Sequence, residues 1–193
     1  MTSKLKMDIE AVKDFIRNES NNSKVYIGCD SLTFKKAGKW YADYVTVVVI
    51  HRNGNNGCKI FGQLETELDF IKDKTKPILR LMNEAIKTAA LYGQLKDAIG
   101  SRYREIHLDI NPDEKYNSHL ALSQAVGYIR GMCGIEPHVK PEAFAASYAA
   151  DRYMRVKNYD LTKADDAKTA KMIEHNTKRS KKAKAKKLKR KVA

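Results

Sequence analysis

Three strand-like segments follow one another in the first half of this chain. They are KVYIGCDSLTF (24–34), KWYADYVTVVVIHR (39–52) and CKIFGQLETEL (58–68). The turn sequences AGK and NGNNG separate them, and their β-branched and aromatic residues favour strands. Strands joined by such short turns pair with their sequence neighbours, so the pattern predicts an antiparallel meander of three strands.

The hydrophobic pattern changes after the third strand-like segment. Segments with helical period cover about 76–95, 117–132 and 141–155, and shorter strand-like segments cover 104–111 and 135–140. A further helical segment, 8–19, precedes the first strand. The order β-β-β-α-β-α-β-α therefore predicts an α/β fold, with a mixed five-stranded sheet and helices on both faces.

Four acidic residues are distributed over these predicted strands and helices. Asp30 and Asp109 each end a strand-like apolar run, whereas Glu84 and Asp151 lie within helix-like segments. Taken singly, the first two suit turns and most helical Glu residues are solvated. Asp151 shares a helix face with Phe144, Ser147 and Tyr148, where a carboxylate without a partner is unfavourable. Taken together, carboxylates at strand ends and inward helix faces can converge on a divalent cation, which prefers oxygen ligands.

The order of elements and acids resembles the ribonuclease H-like fold. The motifs GCDS, RLMNEA, HLDIN and KPEAFAASYAAD are similar to those of the YkuK-like family of predicted ribonuclease H-like nucleases. The resemblance spans roughly residues 24–153 and departs at Cys29 and Leu32, where Thr and a polar residue are expected. It implies a ribonuclease H-like domain over residues 1–153, followed by a separate tail over residues 154–193.

The resemblance also implies how the acids act. In such a sheet the strands that carry Asp30 and Asp109 are parallel neighbours, and a divalent cation would relieve the repulsion between these carboxylates. Two Mg²⁺ or Mn²⁺ ions about 3.5–4 Å apart would clamp the attacking water and the leaving oxygen of a phosphodiester. Asp30 would bridge both ions, Asp109 would hold one and Asp151 the other. Glu84 would complete one ligand shell or orient the water.

Other residues are secondary candidates. Glu65 and Glu67, at the end of the third strand, are alternatives to Glu84 as the fourth acidic ligand. Lys140 precedes the last helix and is placed to meet a phosphate or to stabilise developing charge, although a solvated Lys suits the position equally. Asn117 opens a helix near the expected site, where it would contact a substrate backbone or only cap the helix.

The positive charge of the chain is concentrated at its end. Residues 154–193 hold 15 Lys and Arg against 4 Asp and Glu, which gives +11 of the total net charge of +14. Such a block is a solubilising or targeting run, or it binds a polyanion and is helical or disordered until it does so. The nucleic-acid-binding interpretation assigns ten basic residues: Lys178, Arg179, Lys181, Lys182, Lys184, Lys186, Lys187, Lys189, Arg190 and Lys191.

The composition of the chain predicts a cytoplasmic location. No stretch of 18 apolar residues indicates a membrane span, and the start lacks the apolar core of a secretory signal. The three cysteines are widely spaced, which fits a reducing cytoplasm and indicates no disulfide partner. The sequence leaves the oligomeric state open.

The function expected from these features is metal-dependent hydrolysis of RNA or DNA at a two-metal carboxylate site, with the basic tail anchoring the nucleic acid. The alternative is a nucleic-acid-binding protein, associated with RNA or a ribonucleoprotein, that keeps the fold without cleaving. Nucleotide phosphotransfer is not expected, because the chain has no Gly-rich phosphate loop.

Overall fold

The computed structural model describes residues 4–54, 56–69, 77–150 and 153. The regular elements are β1 (Lys4–Leu5), α1 (Ile9–Asn18), β2 (Lys24–Lys36), β3 (Lys39–His51), β4 (Cys58–Leu68), α2 (Ile78–Ile99), β5 (Arg104–Leu108) and α3 (Leu122–Cys133). A 3-10 turn, Asn117–Ala121, leads into α3, and a π-helical turn covers Ala145–Ala149. This arrangement confirms the predicted α/β class. The predictions for the tail over residues 154–193 lie outside the described residues.

The predicted meander is present. Strand β3 pairs antiparallel with both β2 and β4, and the β2–β3 register runs without a bulge from Lys24↔His51 to Lys36↔Lys39. The two residues that close this hairpin, Ala37 and Gly38, have φ angles of 48° and 77°. Positive φ at both central residues is the type I′ geometry, whose twist matches that of the flanking strands.

The sheet order is β1-β4-β3-β2-β5, and β5 is parallel to β2. The strand predicted over 135–140 is wrong as a regular strand. Within the described chain it makes one isolated parallel bridge, between His107 and His138. Pro137 lies within this segment and Pro141 directly follows it, and proline has no amide hydrogen with which to extend a strand ladder. Four strands of five residues or more therefore form the mixed sheet, and the two-residue β1 extends its far edge.

The last predicted helix begins later than Pro141. Residues 140–142 form a turn, in which the amide of Lys140 donates to Ile110 and the amide of Glu142 donates to Val139. The bond to Ile110 holds this turn against the loop after β5, and helical geometry starts only at Phe144. The helical turns that follow are of the π type, a geometry often found at functional sites.

Helices cover both faces of the sheet, as the element order predicts. One face, with Val25, Ile27, Val48 and Ile50, packs against α1, α2 and α3 in the larger apolar core. The other face packs against the alanine-rich π turn through the alternate residues Tyr26, Val45, Val47 and Val49. Alternation along a strand sends successive side chains to opposite faces. The even-numbered residues of β2 therefore face the π turn.

Gly28 sets how closely the π turn approaches the sheet. A Cβ atom built at this position would lie 2.5 Å from the backbone nitrogen of Ala146, closer than any real packing contact. Glycine here lets two backbones meet almost directly. This contact fixes the height of the π turn above β2, two residues before Asp30.

Candidate active site

Asp30 and Asp109 lie side by side at one edge of the sheet. The last paired residues of the parallel β2–β5 ladder are Cys29 and Leu108, so the two acids are the next residues on adjacent strands. Both follow the alternation onto the face that carries the π turn. Adjacent strands are only about 4.8 Å apart, so the two carboxylates are close neighbours.

The charge of Asp30 is poorly compensated. Its carboxylate accepts a hydrogen bond from the Ser31 amide at 2.7 Å. Burial, and then the neighbouring Asp109 carboxylate, raise the pKa of Asp30 from 3.8 to about 7, against the opposing effects of the Ser31 amide, Lys140 and Arg80. The side chain is still partly open to solvent. Repulsion between two like charges that a fold holds together is the situation a bound cation relieves.

Glu84 belongs to the same charge cluster. It lies on α2 and is 3% exposed. The Ser31 hydroxyl donates to Glu84 Oε1 at 2.5 Å, and Arg80 donates in turn to the Ser31 hydroxyl at 2.6 Å and approaches Glu84 Oε1 at 3.3 Å. Burial, followed by repulsion from Asp30, raises the pKa of Glu84 well above its usual value. Asp30, Glu84 and Asp109 are called the Asp30 cluster below.

Two side chains hold Asp109 from the opposite side. The Ser147 hydroxyl, on the π turn, donates to Asp109 at 2.5 Å. The ammonium of Lys140 lies 2.9 Å from the same carboxylate, and its side chain is 40% exposed. Lys140, which the sequence offered as a phosphate contact, is therefore an ion-pair partner of a site acid at the entrance to the site.

A buried histidine anchors the π turn. His107 Nδ1 accepts a hydrogen bond from the Ala145 amide at 3.0 Å, and Nε2 lies 2.7 Å from Glu105. Because Nδ1 is the acceptor, the ring is in the tautomer that carries its proton on Nε2 and donates to Glu105. Burial lowers the pKa of His107, which favours this neutral form. The histidine thereby fixes the turn from which Ser147 reaches Asp109.

The alternative acids, Glu65 and Glu67, form a different cluster. Lys87 of α2 lies 2.6 Å from a carboxylate oxygen of each. Their strand, β4, lies on the far side of β3 from β2. Two strand spacings place β4 about 9–10 Å from β2. Glu84, rather than this pair, is the acid that the fold brings to Asp30. Glu65, Glu67 and Lys87 are called the Lys87 cluster below.

The remaining candidates are placed less closely. Asn117 is exposed at the start of its 3-10 turn, and its contact with a substrate stays a prediction. Ser118 accepts a hydrogen bond from the Asn111 amide at 3.1 Å, which closes the loop after β5. Asp151 and the ten basic tail residues lie outside the described residues, so their assigned roles also stay predictions.

Sequence reasoning missed the residues that support the acids. Arg80 and Glu84 have the i, i+4 spacing of a helical ion pair, so that contact was readable from the sequence. Ser31, Ser147 and His107 carry no such local signal. Their partners are 38 to 53 residues away along the chain, and only tertiary packing brings them together.

The carboxylate oxygens of the site are the type of ligand that hard divalent cations such as Mg²⁺ prefer. Asp30 and Asp109 offer adjacent carboxylate oxygens, and the pKa of Asp30 is raised by burial and then by repulsion from Asp109, both of which a bound cation would offset. Within residues 4–54, 56–69, 77–150 and 153, no three His, Cys, Asp or Glu side chains converge closely enough to enclose a metal. Glu84 is joined to the pair through Ser31 instead. Asp151 lies outside those ranges.

Fold and site together define an α/β protein whose acids meet at the ends of two parallel strands. A family model described as ribonuclease H-like matches residues 8–155, and the chain belongs to that family. The resemblance expected from the motifs is thus confirmed, and the match includes α1 but ends before the lysine-rich run. Comparisons with curated proteins and with solved structures found no match. Among the helices that the structure describes, none is both long and apolar enough to cross a membrane.

Proposed function

We propose that this protein is a metal-dependent nuclease that hydrolyses phosphodiester bonds of RNA or DNA. The observation that carries the proposal is the juxtaposition of Asp30 and Asp109 on parallel strands, with the pKa of Asp30 raised to about 7. The fold keeps the poorly compensated carboxylate of Asp30 beside that of Asp109 at a cost in stability, and such strain is typical of functional sites. The ribonuclease H-like family supports the same chemistry.

Asp30 and Asp109 would hold Mg²⁺ or Mn²⁺ directly, and Glu84, linked to the pair through Ser31, would complete the ligand shell or orient the water. Asp151 is proposed as the fourth acid. Two such ions, when bound, supply an activated water and neutralise charge on the leaving oxygen. The other side chains position these acids. Ser31 and Arg80 fix the orientation of Glu84, and the contact between Ser31 and Glu84 ties α2 to the strand that carries Asp30.

Lys140 has a separate part. Its ammonium neutralises Asp109, and because that side chain is 40% exposed, it would also be within reach of a phosphate bound at the site. The Ser147 hydroxyl donates to the same carboxylate and so would orient Asp109 independently of Lys140.

The basic tail is proposed as an anchor for the nucleic acid. Removing residues 178–193 deletes ten cationic side chains from a chain of net charge +14. If about five of them contact phosphates, the slope of log affinity against log salt falls by about 3.5–4.5 units. An unchanged slope would show that the tail does not bind the polyanion.

A second candidate is a nucleic-acid-binding protein that does not cleave. The ion pair between Lys140 and Asp109 favours it, because a carboxylate already neutralised by a lysine needs no metal. The two candidates differ in what the acids do and agree on the partner. A measurement of cleavage separates them.

The experiment is a cleavage panel with labelled single-stranded RNA, single-stranded DNA, both duplexes, a hybrid and a four-way junction. Each substrate is incubated with Mg²⁺, with Mn²⁺ and with EDTA, using the wild type, Asp109→Asn and the control Glu65→Gln. We expect at least one substrate to be cut only with metal, by the wild type and the control alone. Binding without cleavage that persists equally in Asp109→Asn would establish the second candidate.

A further inference from the structure

The β2–β3 hairpin extends past the acids and carries a second set of functional groups on the same face. The register has no bulge, so Leu32, Phe34 and Lys36 follow Asp30 on alternate positions of β2. Opposite them on β3 lie Tyr41, paired with Phe34, and Lys39, paired with Lys36. Phe34, Tyr41, Lys36 and Lys39 are called the hairpin patch.

The aromatic half of the patch is a cross-strand pair of rings that are not fully buried. The rings of Phe34 and Tyr41 are stacked across the strands, with centroids 5.6 Å apart and planes within 18° of parallel. Both side chains are partly exposed. Tyr44, by contrast, is buried at 3% exposure on the opposite face. Bases stack on exposed aromatic rings of this kind without regard to sequence.

The lysine half of the patch is electrostatically unfavourable by itself. Lys36 and Lys39 are exposed and directly opposite each other, and like charges in that relation destabilise a strand pair. Lys35 adds a third positive charge beside them, and residues 31–41 contain no acid. An anion bridging the two ammonium groups removes the repulsion.

The spacing connects the patch with the acids. At about 3.3 Å per residue, Phe34 lies about 13 Å and Lys36 about 20 Å from Asp30 along β2. A stacked nucleic-acid strand rises about 3.4 Å per nucleotide, so these distances correspond to about four and six nucleotides. One continuous strand can therefore reach the acids, the rings and the lysines in turn.

We propose that the hairpin patch binds single-stranded nucleic acid and guides it along β2 to the Asp30 cluster. This deepens the proposed function, on which it rests for the identity of the polymer. The single-stranded form is favoured because a duplex buries the base faces that the rings would contact, whereas unpaired bases expose them. Two lysines at the tip then hold the phosphates some nucleotides away from the acids.

The test uses the full chain in EDTA, so that binding is measured without cleavage. Fluorescence anisotropy follows labelled single-stranded DNA, single-stranded RNA and duplex DNA over a range of salt concentrations. The charge variant is Lys36→Glu/Lys39→Glu, and its control is Lys6→Glu/Lys96→Glu, which makes the same charge change at exposed positions elsewhere. The aromatic variant is Tyr41→Leu, which keeps an apolar residue in the strand.

The charge variant should bind single strands at least about ten-fold more weakly than the control, with a salt slope lower by about 1.4 for two lost phosphate contacts. Tyr41→Leu should lose about ten-fold for single strands, with the salt slope and duplex binding unchanged. Equal losses in the charge variant and its control would overturn the proposal. So would wild-type binding by Tyr41→Leu, which would reduce the hairpin to a general polyanion surface.

These results are independent of catalysis. If the patch variants lose binding while the cleavage panel shows no cutting, only the nuclease proposal fails. If cleavage is observed and the patch variants bind normally, only the hairpin proposal fails. Thermal unfolding of each variant, with a midpoint near that of the wild type, confirms that the binding losses come from the surface and not from misfolding.

Discussion

The acids of this sheet form two clusters that differ in how their charge is compensated. In the Lys87 cluster, one ammonium lies 2.6 Å from both carboxylates and also over the ring of Tyr44. In the Asp30 cluster, burial and mutual repulsion raise the pKa values of Asp30 and Glu84 despite the nearby Arg80.

Both clusters join acids to helix α2, and Glu84 and Lys87 are only three residues apart on it. The difference lies in the side chain that the helix presents to the sheet, a cation in one place and another acid in the other. A closed ion-pair cluster stabilises the fold, whereas an open acidic cluster opposes folding and is retained for what it binds. Acidic residues occur in both clusters, so it is the poor compensation of their charge that distinguishes the candidate site.

The largest expected difference between the clusters is in cleavage. Asp109→Asn removes a charge that would hold the cation, and the loss of several kcal/mol of transition-state stabilisation lowers the rate at least about a thousand-fold. Glu65→Gln, in the Lys87 cluster, should change the rate by less than about two-fold. Initial rates with saturating Mn²⁺ measure both. Equal losses in the two variants would remove the distinction between the clusters.

The contact that sets the π turn above the Asp30 cluster can be tested at Gly28. Gly28→Ala places a Cβ against the backbone of Ala146, so the turn must shift, at about 1–3 kcal/mol of unfolding free energy. Because Ser147 moves with the turn, cleavage should fall as well. Urea unfolding and initial rates measure the two effects. The control is Gly127→Ala in α3, where an added Cβ meets no atom of the described residues within 4 Å outside its own helix backbone, so alanine should be neutral or stabilising.

The pKa of Asp30 predicts a pH-dependent gain in stability when its charge is removed. Folding raises that pKa from 3.8 to about 7, so the folded state favours the protonated carboxyl group. The stability gained in this way is fully present below pH 3.8 and is lost as the pH rises through 7, where the carboxyl group ionises in the folded protein. Asp30→Asn cannot ionise. Its melting temperature should therefore exceed that of the wild type by a few degrees at pH 8 in EDTA, with the difference shrinking towards pH 4.

The exposed residue Asp97 on α2 provides the comparison, since Asp97→Asn should leave the melting temperature near the wild-type value at both pH values. A wild type that is more stable than Asp30→Asn at pH 8 would mean that the Asp30 carboxylate is well compensated, against the interpretation of the cluster as strained.

The smallest expected effect is in the Lys87 cluster. Lys87→Met leaves two carboxylates without their shared cation and should lower the unfolding free energy by about 1 kcal/mol, as partly exposed ion pairs contribute little. Cleavage should be unchanged. Chemical denaturation measures the first effect and initial rates the second, with Lys96→Met as an exposed control. A large loss of cleavage in Lys87→Met would connect the two clusters functionally.

Local signals in the sequence predicted most elements of the fold. Asp8 caps α1 by accepting from the Ala11 amide at 3.1 Å, and Gly134 ends α3 with a φ of 64°. The turns between β2 and β3 and between β3 and β4 form at the Gly- and Asn-containing sequences AGK and NGNNG. These features depend on neighbours within a few residues, so sequence patterns contain them.

Two predictions failed where tertiary contacts decide. The segment 135–140 reads as a strand from its apolar residues, yet its prolines limit it to an isolated bridge beside β5. The last helix starts after the expected Pro141, since residues 140–142 form a turn that the hydrogen bond from Lys140 to Ile110 holds in place. Its π geometry, which brings Ser147 to Asp109, follows from packing on Gly28 and has no counterpart in a helical period.

Sequence patterns were sufficient to predict the three-stranded meander, the helices α1, α2 and α3, the family, and the elements that carry Asp30, Glu84 and Asp109. It left open whether Glu84 or the pair Glu65 and Glu67 would join Asp30. Tertiary structure decided that, because β3 separates β4 from β2 while α2 packs Glu84 against Ser31. The repulsion between the Asp30 carboxylate and its acidic neighbours also arises only in the tertiary structure. It depends on the distance between carboxylates far apart in sequence, which the pairing of β2 with β5 and the packing of α2 set.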